Sequence, residues 1–139
     1  MAFKILIVDS DPATTELRGQ LLKEHNFEAF MANNSEEGVK LVREISPDVV
    51  VLDLTKPEKN DWQVCKEIRS FSRVPILILS ALNSPGMAAG ALDAGADDFL
   101  VKPVPGCILI AHLNTFTRRA RREKGNKNSL ETTIASLLI

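Results

Sequence analysis

Pro47-Asp48-Val49-Val50-Val51-Leu52-Asp53-Leu54 is the stretch that decides the fold. The run is too short for a buried helix, is bounded by a proline and is halted by a carboxylate. That is how a central strand buried on both faces of a parallel sheet reads. Outward from it, three more apolar runs stop on a polar group: Ile5-Leu6-Ile7-Val8 at Asp9, Ile76-Leu77-Ile78-Leu79 at Ser80, and Phe99-Leu100-Val101 at Lys102. In an open parallel sheet these carboxyl ends share one rim, and ligands bind there, where strand order reverses. The pattern predicts a rim site holding two carboxylates, a hydroxyl and an ammonium.

Helical segments separate the strands. Asp11-Pro12 has the form of an N-cap followed by proline at the first helical position, and Leu17, Leu21 and Leu22 are expected to supply that helix's apolar face. Phe27 to Ala32 reads as a second, edge strand. Ser35-Glu36-Glu37 opens the next helix with a cap and negative charge at the positive end of the dipole, Val39, Val42 and Ile45 give its buried stripe, and Pro47 ends it. A polar loop, 55–60, leads to a helix from about Asp61 to Ser70 with Val64 and Ile68 inward. Asn83-Ser84-Pro85-Gly86 is a turn cluster before a small-residued helix, Met87 to Ala94, stopped by Gly95. The fifth strand covers about Asp97 to Val101. The last helix is expected from Gly106 to Glu123, carrying Ile108, Leu109, Leu113 and Phe116.

Strands alternating with helices give an α/β fold, because each parallel crossover takes a dozen or more residues. Five strands is the flavodoxin-like (βα)5 count, a doubly wound five-stranded parallel sheet of order 2-1-3-4-5. Its switch point lies between the first and third strands, the two that end at Asp9 and Asp53.

The 139 residues amount to one domain, with 1–123 as the folded unit and 124–139 as a linker and tail. Residues 1–117 carry 11 Lys+Arg against 16 Asp+Glu, and 118–139 carry 6 against 2, so an acidic domain ends in a basic tail. The Arg118-Arg119-Ala120-Arg121-Arg122 run reads as a solvated helix end, where cations suit the negative pole of the dipole, in preference to a nucleic-acid contact. Gly125 to Ser129 reads as a linker. Beyond it, Leu130, Ile134, Leu137 and Leu138 fall at helical spacing, and the apolar terminus suggests a longer parent protein with an output region. Cys65 and Cys107 are read as small buried hydrophobes of a reducing compartment. His25 and His112 lack companions at ligand spacing, and Trp62 reads as packing at a helix start. No apolar run reaches the roughly 20 residues a membrane span needs, so a soluble, cytoplasmic protein is expected.

A lone aspartate after a strand is often only a turn residue. Four polar groups on one rim favour a site instead. Two carboxylates a few ångströms apart repel unless a cation sits between them, which suits a hard, oxygen-liganded ion such as Mg²⁺. A carboxylate can attack a phosphoryl group to give an aspartyl phosphate, with metal, ammonium and hydrogen-bond donors stabilising the group in transfer.

At these residues the chain resembles a known family, the receiver domains of two-component response regulators. The matching segments are Lys4-Ile5-Leu6-Ile7-Val8-Asp9 to Pro12, Val51-Leu52-Asp53-Leu54 with Pro57, Val74-Pro75-Ile76 to Ser80-Ala81, and Gly95-Ala96-Asp97-Asp98-Phe99-Leu100-Val101-Lys102-Pro103. They stand in the family's order and spacing over residues 3 to about 122. The resemblance implies that Asp53 is the phosphoacceptor and that Asp9, Asp53 and the Thr55 backbone carbonyl hold Mg²⁺. Ser80, the Ala81 N–H and Lys102 would contact the phosphoryl oxygens. Ser80 and Phe99 would act as the switch, although Phe99 reads equally well as a strand residue packed in the core, and Lys102-Pro103 would be cis. It also implies a sensor histidine kinase as phosphodonor, an output domain or target protein, and a possible homodimer through the face of the fourth helix, fifth strand and last helix. DNA would be reached only through an output domain.

Three departures matter. Ser10 replaces the second acid of the family's pair, so metal affinity and phosphorylation rate are expected to fall. Asp11 could compensate, but reads better as the N-cap. Asn60-Asp61 stands where the family often has Asp-Gly. Ala88, Ile108 and His112 occupy positions where the winged-helix transcription-factor subfamily commonly places dimer-bridging ions, so a dimer through that face would be mainly apolar.

Two other readings compete. A phosphohydrolase of the haloacid-dehalogenase type would use Asp9-Ser10-Asp11 as its nucleophile motif, with Ser80, Lys102 and Asp97-Asp98 in its remaining roles. Ala13 and the order of lysine and acidic pair count against it. A degenerate receiver would bind partners without ever accepting phosphate.

Overall fold

The structure, a computed structural model, describes residues 2–54, 61–82 and 84–137, with the side chains of 61 and 122–137 excepted. Ten elements alternate: β1 (Lys4–Val8), α1 (Pro12–Glu24), β2 (Glu28–Ala32), α2 (Ser35–Ile45), β3 (Val49–Leu54), α3 (Asp61–Arg69), β4 (Ile76–Ser80), α4 (Pro85–Asp93), β5 (Asp98–Val101) and α5 (Gly106–Leu137). The strands form one parallel sheet in the order β2-β1-β3-β4-β5. β3 lies at its centre, as its unbroken apolar run requires.

Alternation along each strand divides the core in two. Leu6, Val8, Val50, Leu52, Ile76 and Ile78 face the layer of α2, α3 and α4, where Val42, Val64, Cys65, Ile68 and Ala91 are buried. Ile5, Ile7, Val49, Val51, Leu77 and Leu79 face α1 and α5, against Leu22, Leu109, Leu113 and Phe116. Both faces of the sheet are thus covered, and the rim at the strands' carboxyl ends is left for polar groups.

Helix starts follow their cap chemistry. Asp11 caps α1, its Oδ1 accepting from Ala13 N at 3.1 Å. Asn34, and not Ser35, caps α2, accepting from Glu37 N at 2.8 Å, which makes Ser35 the first helical residue. Ser84 caps α4 with Pro85 at its first position, so the turn cluster is itself the helix start. Gly95 ends α4 with φ +110, and a Cβ there would stand 2.7 Å from Arg69 Cγ.

Several expectations are corrected. Leu17 is 70 % exposed, because the buried stripe of α1 is Thr15, Gly19 and Leu22, and a residue two on from Thr15 points about 200° around the helix. Cys65 is buried, which pushes its thiol up to about 11, but Cys107 is exposed. It and Ile108 precede the buried stripe of α5, which begins at Leu109. α5 continues through 125–129, where composition suggests a linker, so the arginine run lies within a helix and not at its end. There Arg119 stacks over Phe116 and Arg121 over Phe3. Thr55, Pro57 and Asn60 lie outside the described residues, as does Asn83.

Candidate functional site

The rim gathers the predicted groups from four chain segments. Asp9, 5 % exposed, directly follows β1, and β3 carries Asp53, 6 % exposed. Parallel pairing of β1 with β3 sets Val8 beside Leu52, so the two aspartates follow on adjacent strands. Lys102, one residue beyond β5, reaches across β4 to place Nζ 2.5 Å from Asp53 Oδ1. Ser80 ends β4 in register with Leu54 and Val101 and is fully buried. Its Oγ accepts from Leu82 N at 3.1 Å. The peptide bond from Lys102 to Pro103 is cis.

Two site residues were not anticipated. Arg18 on α1 donates from Nη1 to Asp53 Oδ2, and the same nitrogen lies 3.5 Å from Asp9 Oδ2. Asn33, after β2, donates from Nδ2 to the Asp9 carbonyl at 2.9 Å and to Thr15 Oγ1 at 3.2 Å, tying β1 to the start of α2. A signal for Arg18 does exist in the sequence. It stands three residues after Thr15 and four before Leu22, on the stripe that proves to be buried.

Burial raises the Asp9 carboxyl above its ordinary range. The Asp53 charge adds to this, while the Asp11 N–H at 3.1 Å and the charges of Arg18 and Lys102 oppose it. Asp11 is lowered instead, chiefly by the Thr14 hydroxyl, which donates to it at 2.7 Å. Its carboxylate is committed to the helix start, so it does not replace the acid missing at Ser10, which is exposed.

Asp97 and Asp98 have structural work. Asp97 Oδ2 accepts from Ile76 N at 2.8 Å and from Arg69 Nη2 at 2.7 Å. Asp98 accepts from its neighbour Phe99 N at 2.8 Å and faces His112 Nδ1 at 2.9 Å. Neither joins the Asp9–Asp53 pair, as the hydrolase reading would need. Phe99 is half-buried against the core on the α3 and α4 side.

Comparison with known proteins agrees with this architecture. Residues 5–114 match the response regulator receiver domain. The chain belongs to that family. It is a family of signalling proteins rather than of enzymes, which removes the phosphohydrolase reading. The chain is 38 % identical over 125 residues to the transcriptional regulatory protein AfsQ1 of Streptomyces coelicolor, covering 90 % of this chain and 55 % of AfsQ1. It is 34 % identical to the response regulator MprA of Mycolicibacterium vanbaalenii, over 99 % of this chain and 60 % of the relative. The chain thus spans little more than half of these curated relatives. Among solved structures it resembles a two-component response regulator from Clostridium difficile, with TM-score 0.79, 30 % identity, and 85 % and 98 % of the two chains covered. The BeF3-activated N-terminal receiver domain of Klebsiella pneumoniae RstA superposes with TM-score 0.75 at 28 % identity, covering 83 % and 98 %.

Receiver domains typically use Mg²⁺. The donor set here suits such an ion: two buried carboxylates on adjacent strands offer hard anionic oxygens, and Mg²⁺ commonly takes one or two carboxylates and keeps several waters. The set is sparse, since among the described residues no three acidic, histidine or cysteine side chains converge. Among the described residues, too, no helix is long and apolar enough to cross a membrane.

Proposed function

We propose that this receiver domain takes a phosphoryl group from a histidine kinase onto Asp53 and thereby switches a protein-interaction face. The observation that carries the proposal is the buried Asp53 carboxylate with Lys102 Nζ 2.5 Å from one of its oxygens. A carboxylate held against a fixed ammonium is a preorganised acceptor. As the Asp53 oxygen bonds to phosphorus, the bond from phosphorus to the donor's imidazole nitrogen breaks, and its electron pair leaves on that nitrogen, which takes a proton from solvent. Lys102 then has the phosphoryl oxygens within reach.

Asp9, Asp53 and the Thr55 carbonyl are the residues that would hold Mg²⁺. Bound there, the ion supplies positive charge to the phosphoryl oxygens. Ser80 would turn its hydroxyl from Leu82 N to the phosphoryl group, beside the Ala81 N–H, and Phe99 would follow it inward. The rearranged face comprises α4, β5 and α5, where Leu92, Val101 and Ile108 are each 43–51 % exposed. That apolar face suits a second copy, an output domain or a target protein. Residues 1–123 form the receiver in this reading, and 124–139 lead toward an output region through which DNA would be reached. A cytoplasmic location follows from the kinase partner.

A second reading, a receiver that binds partners without phosphorylation, draws on the neutral Ser10 and on the cation at each Asp53 oxygen. Mass spectrometry after incubation with a small phosphodonor and Mg²⁺ separates the two. One phosphoryl adduct on the wild type, absent from Asp53→Asn and reduced in Asp9→Asn, is expected. No adduct on a folded wild type would favour the second reading, and an adduct mapped to Asp9 would overturn both.

A further inference from the structure

Arg18 lies where the cation of a carboxylate pair belongs. Its Nη1 donates to Asp53 Oδ2 and stands 3.5 Å from Asp9 Oδ2, so one guanidinium nitrogen is shared between two buried acids. Its side chain is only 19 % exposed, held there by a helix whose buried stripe it shares with Thr15, Gly19 and Leu22. Ser10, where the family has an acid, leaves the cluster with two negative charges, Asp9 and Asp53, and Lys102 and Arg18 supply two positive ones. The cluster is neutral as built. Adding a divalent cation with Arg18 still in place would put two uncompensated charges against the Asp53 carboxylate, whose side chain is 1 % exposed, and burial makes such charges costly. Both Asp53 oxygens are also engaged, Oδ1 by Lys102 and Oδ2 by Arg18.

We infer that Arg18 is a resident counter-ion of this site, and that Mg²⁺ enters by exchange with its guanidinium at the Asp9–Asp53 pair. The inference rests on the reading of Asp9 and Asp53 as the cation-binding pair. It assigns Arg18 a gating role: without metal it stabilises the acid pair and occupies the cation's place between Asp9 and Asp53. Exchange makes metal binding weaker than the two carboxylates alone would give, because the energy of the guanidinium contacts must first be surrendered.

Calorimetric titration with MgCl₂ and thermal melts in chelator and in Mg²⁺, at one pH and ionic strength, test it on the wild type, Arg18→Ala and Arg18→Lys. Arg18→Ala should bind Mg²⁺ on the order of tenfold more tightly, the size expected for a lost hydrogen bond between charged groups. It should also melt lower than the wild type in chelator and gain more from Mg²⁺. Arg18→Lys retains the charge and should remain nearer the wild type. Equal Mg²⁺ affinity in wild type and Arg18→Ala would overturn the inference while leaving the metal reading intact. No Mg²⁺ binding to either protein would overturn both. Should Arg18→Ala fail to fold in chelator, the Arg18 Nε–H resonance of the wild type decides: a shift that saturates with Mg²⁺ supports exchange, and an unmoved resonance refutes it.

Discussion

The Lys102 backbone N–H donates to the Ser80 carbonyl at 2.7 Å, so the ammonium and the hydroxyl of the rim are fixed on one rung at the end of the β4–β5 ladder. Their spacing is therefore set by sheet register and not by loop conformation. A site built on strand ends keeps its geometry while the loops around it change.

Lys102→Ala should keep the fold, since the backbone rung survives, but leave the buried Asp53 Oδ1 without its partner. We expect a loss of about 1–3 kcal/mol in urea melts at neutral pH, together with a large fall in phosphorylation rate. Unchanged stability would mean that the 2.5 Å pair does not persist in solution.

Asp9 gives the site a pH dependence whose sign can be stated. Burial raises its carboxyl in the folded protein above 3.8, so between the unfolded and folded values the folded state binds more protons. In that window stability falls as pH rises through the folded pKa, and below the window the contribution is fully present. Asp11 acts oppositely: its lowered carboxyl contributes stability above 3.8 that is lost as pH falls. In chelator, Asp9→Asn should abolish the first component and leave the second, which denaturant melts across the acid range will read. If Asp9→Asn leaves the whole profile unaltered, Asp9 is not strained in the folded state.

Ser10→Asp restores an anionic oxygen beside Asp9 and Asp53. Mg²⁺ should bind more tightly, and phosphorylation at limiting metal should speed up. In chelator the third carboxylate adds repulsion, so the variant should melt below the wild type and recover when Mg²⁺ is added. An equal Mg²⁺-induced shift in the two proteins would place Ser10 away from the metal.

Gly95→Ala tests the α4–β5 corner, at the opposite end of β5 from Lys102. Its φ of +110 is strained for any L side chain, and the new Cβ would meet Arg69 Cγ at 2.7 Å. Arg69 also donates to the Gly95 carbonyl at 2.9 Å and to the Val74 carbonyl at 2.6 Å, and it pairs with Asp97. Displacing it should cost roughly 1–3 kcal/mol in equilibrium unfolding, with Mg²⁺ affinity unchanged.

The sheet and most of the site were determined by the sequence alone. Apolar runs such as Val49–Leu52 and Ile76–Leu79, alternating with helical segments, suit central parallel strands, and parallel strands bring Asp9, Asp53, Ser80 and Lys102 to one rim whatever the details of packing. The cap at Asp11 is equally local, since a side chain bonding an amide two residues on needs no tertiary partner. What tertiary structure decided is the rotation of each helix on the sheet. Three leucines suggested one face for α1, but close packing selected Thr15, Gly19 and Leu22, with Gly19 lying against Met31, and left Leu17 in water. That rotation turns Arg18 inward to the acid pair. Local pattern could not choose it, because the energy that does so comes from long-range contacts: the fit of a helix onto neighbouring strands and an ion pair spanning 35 residues.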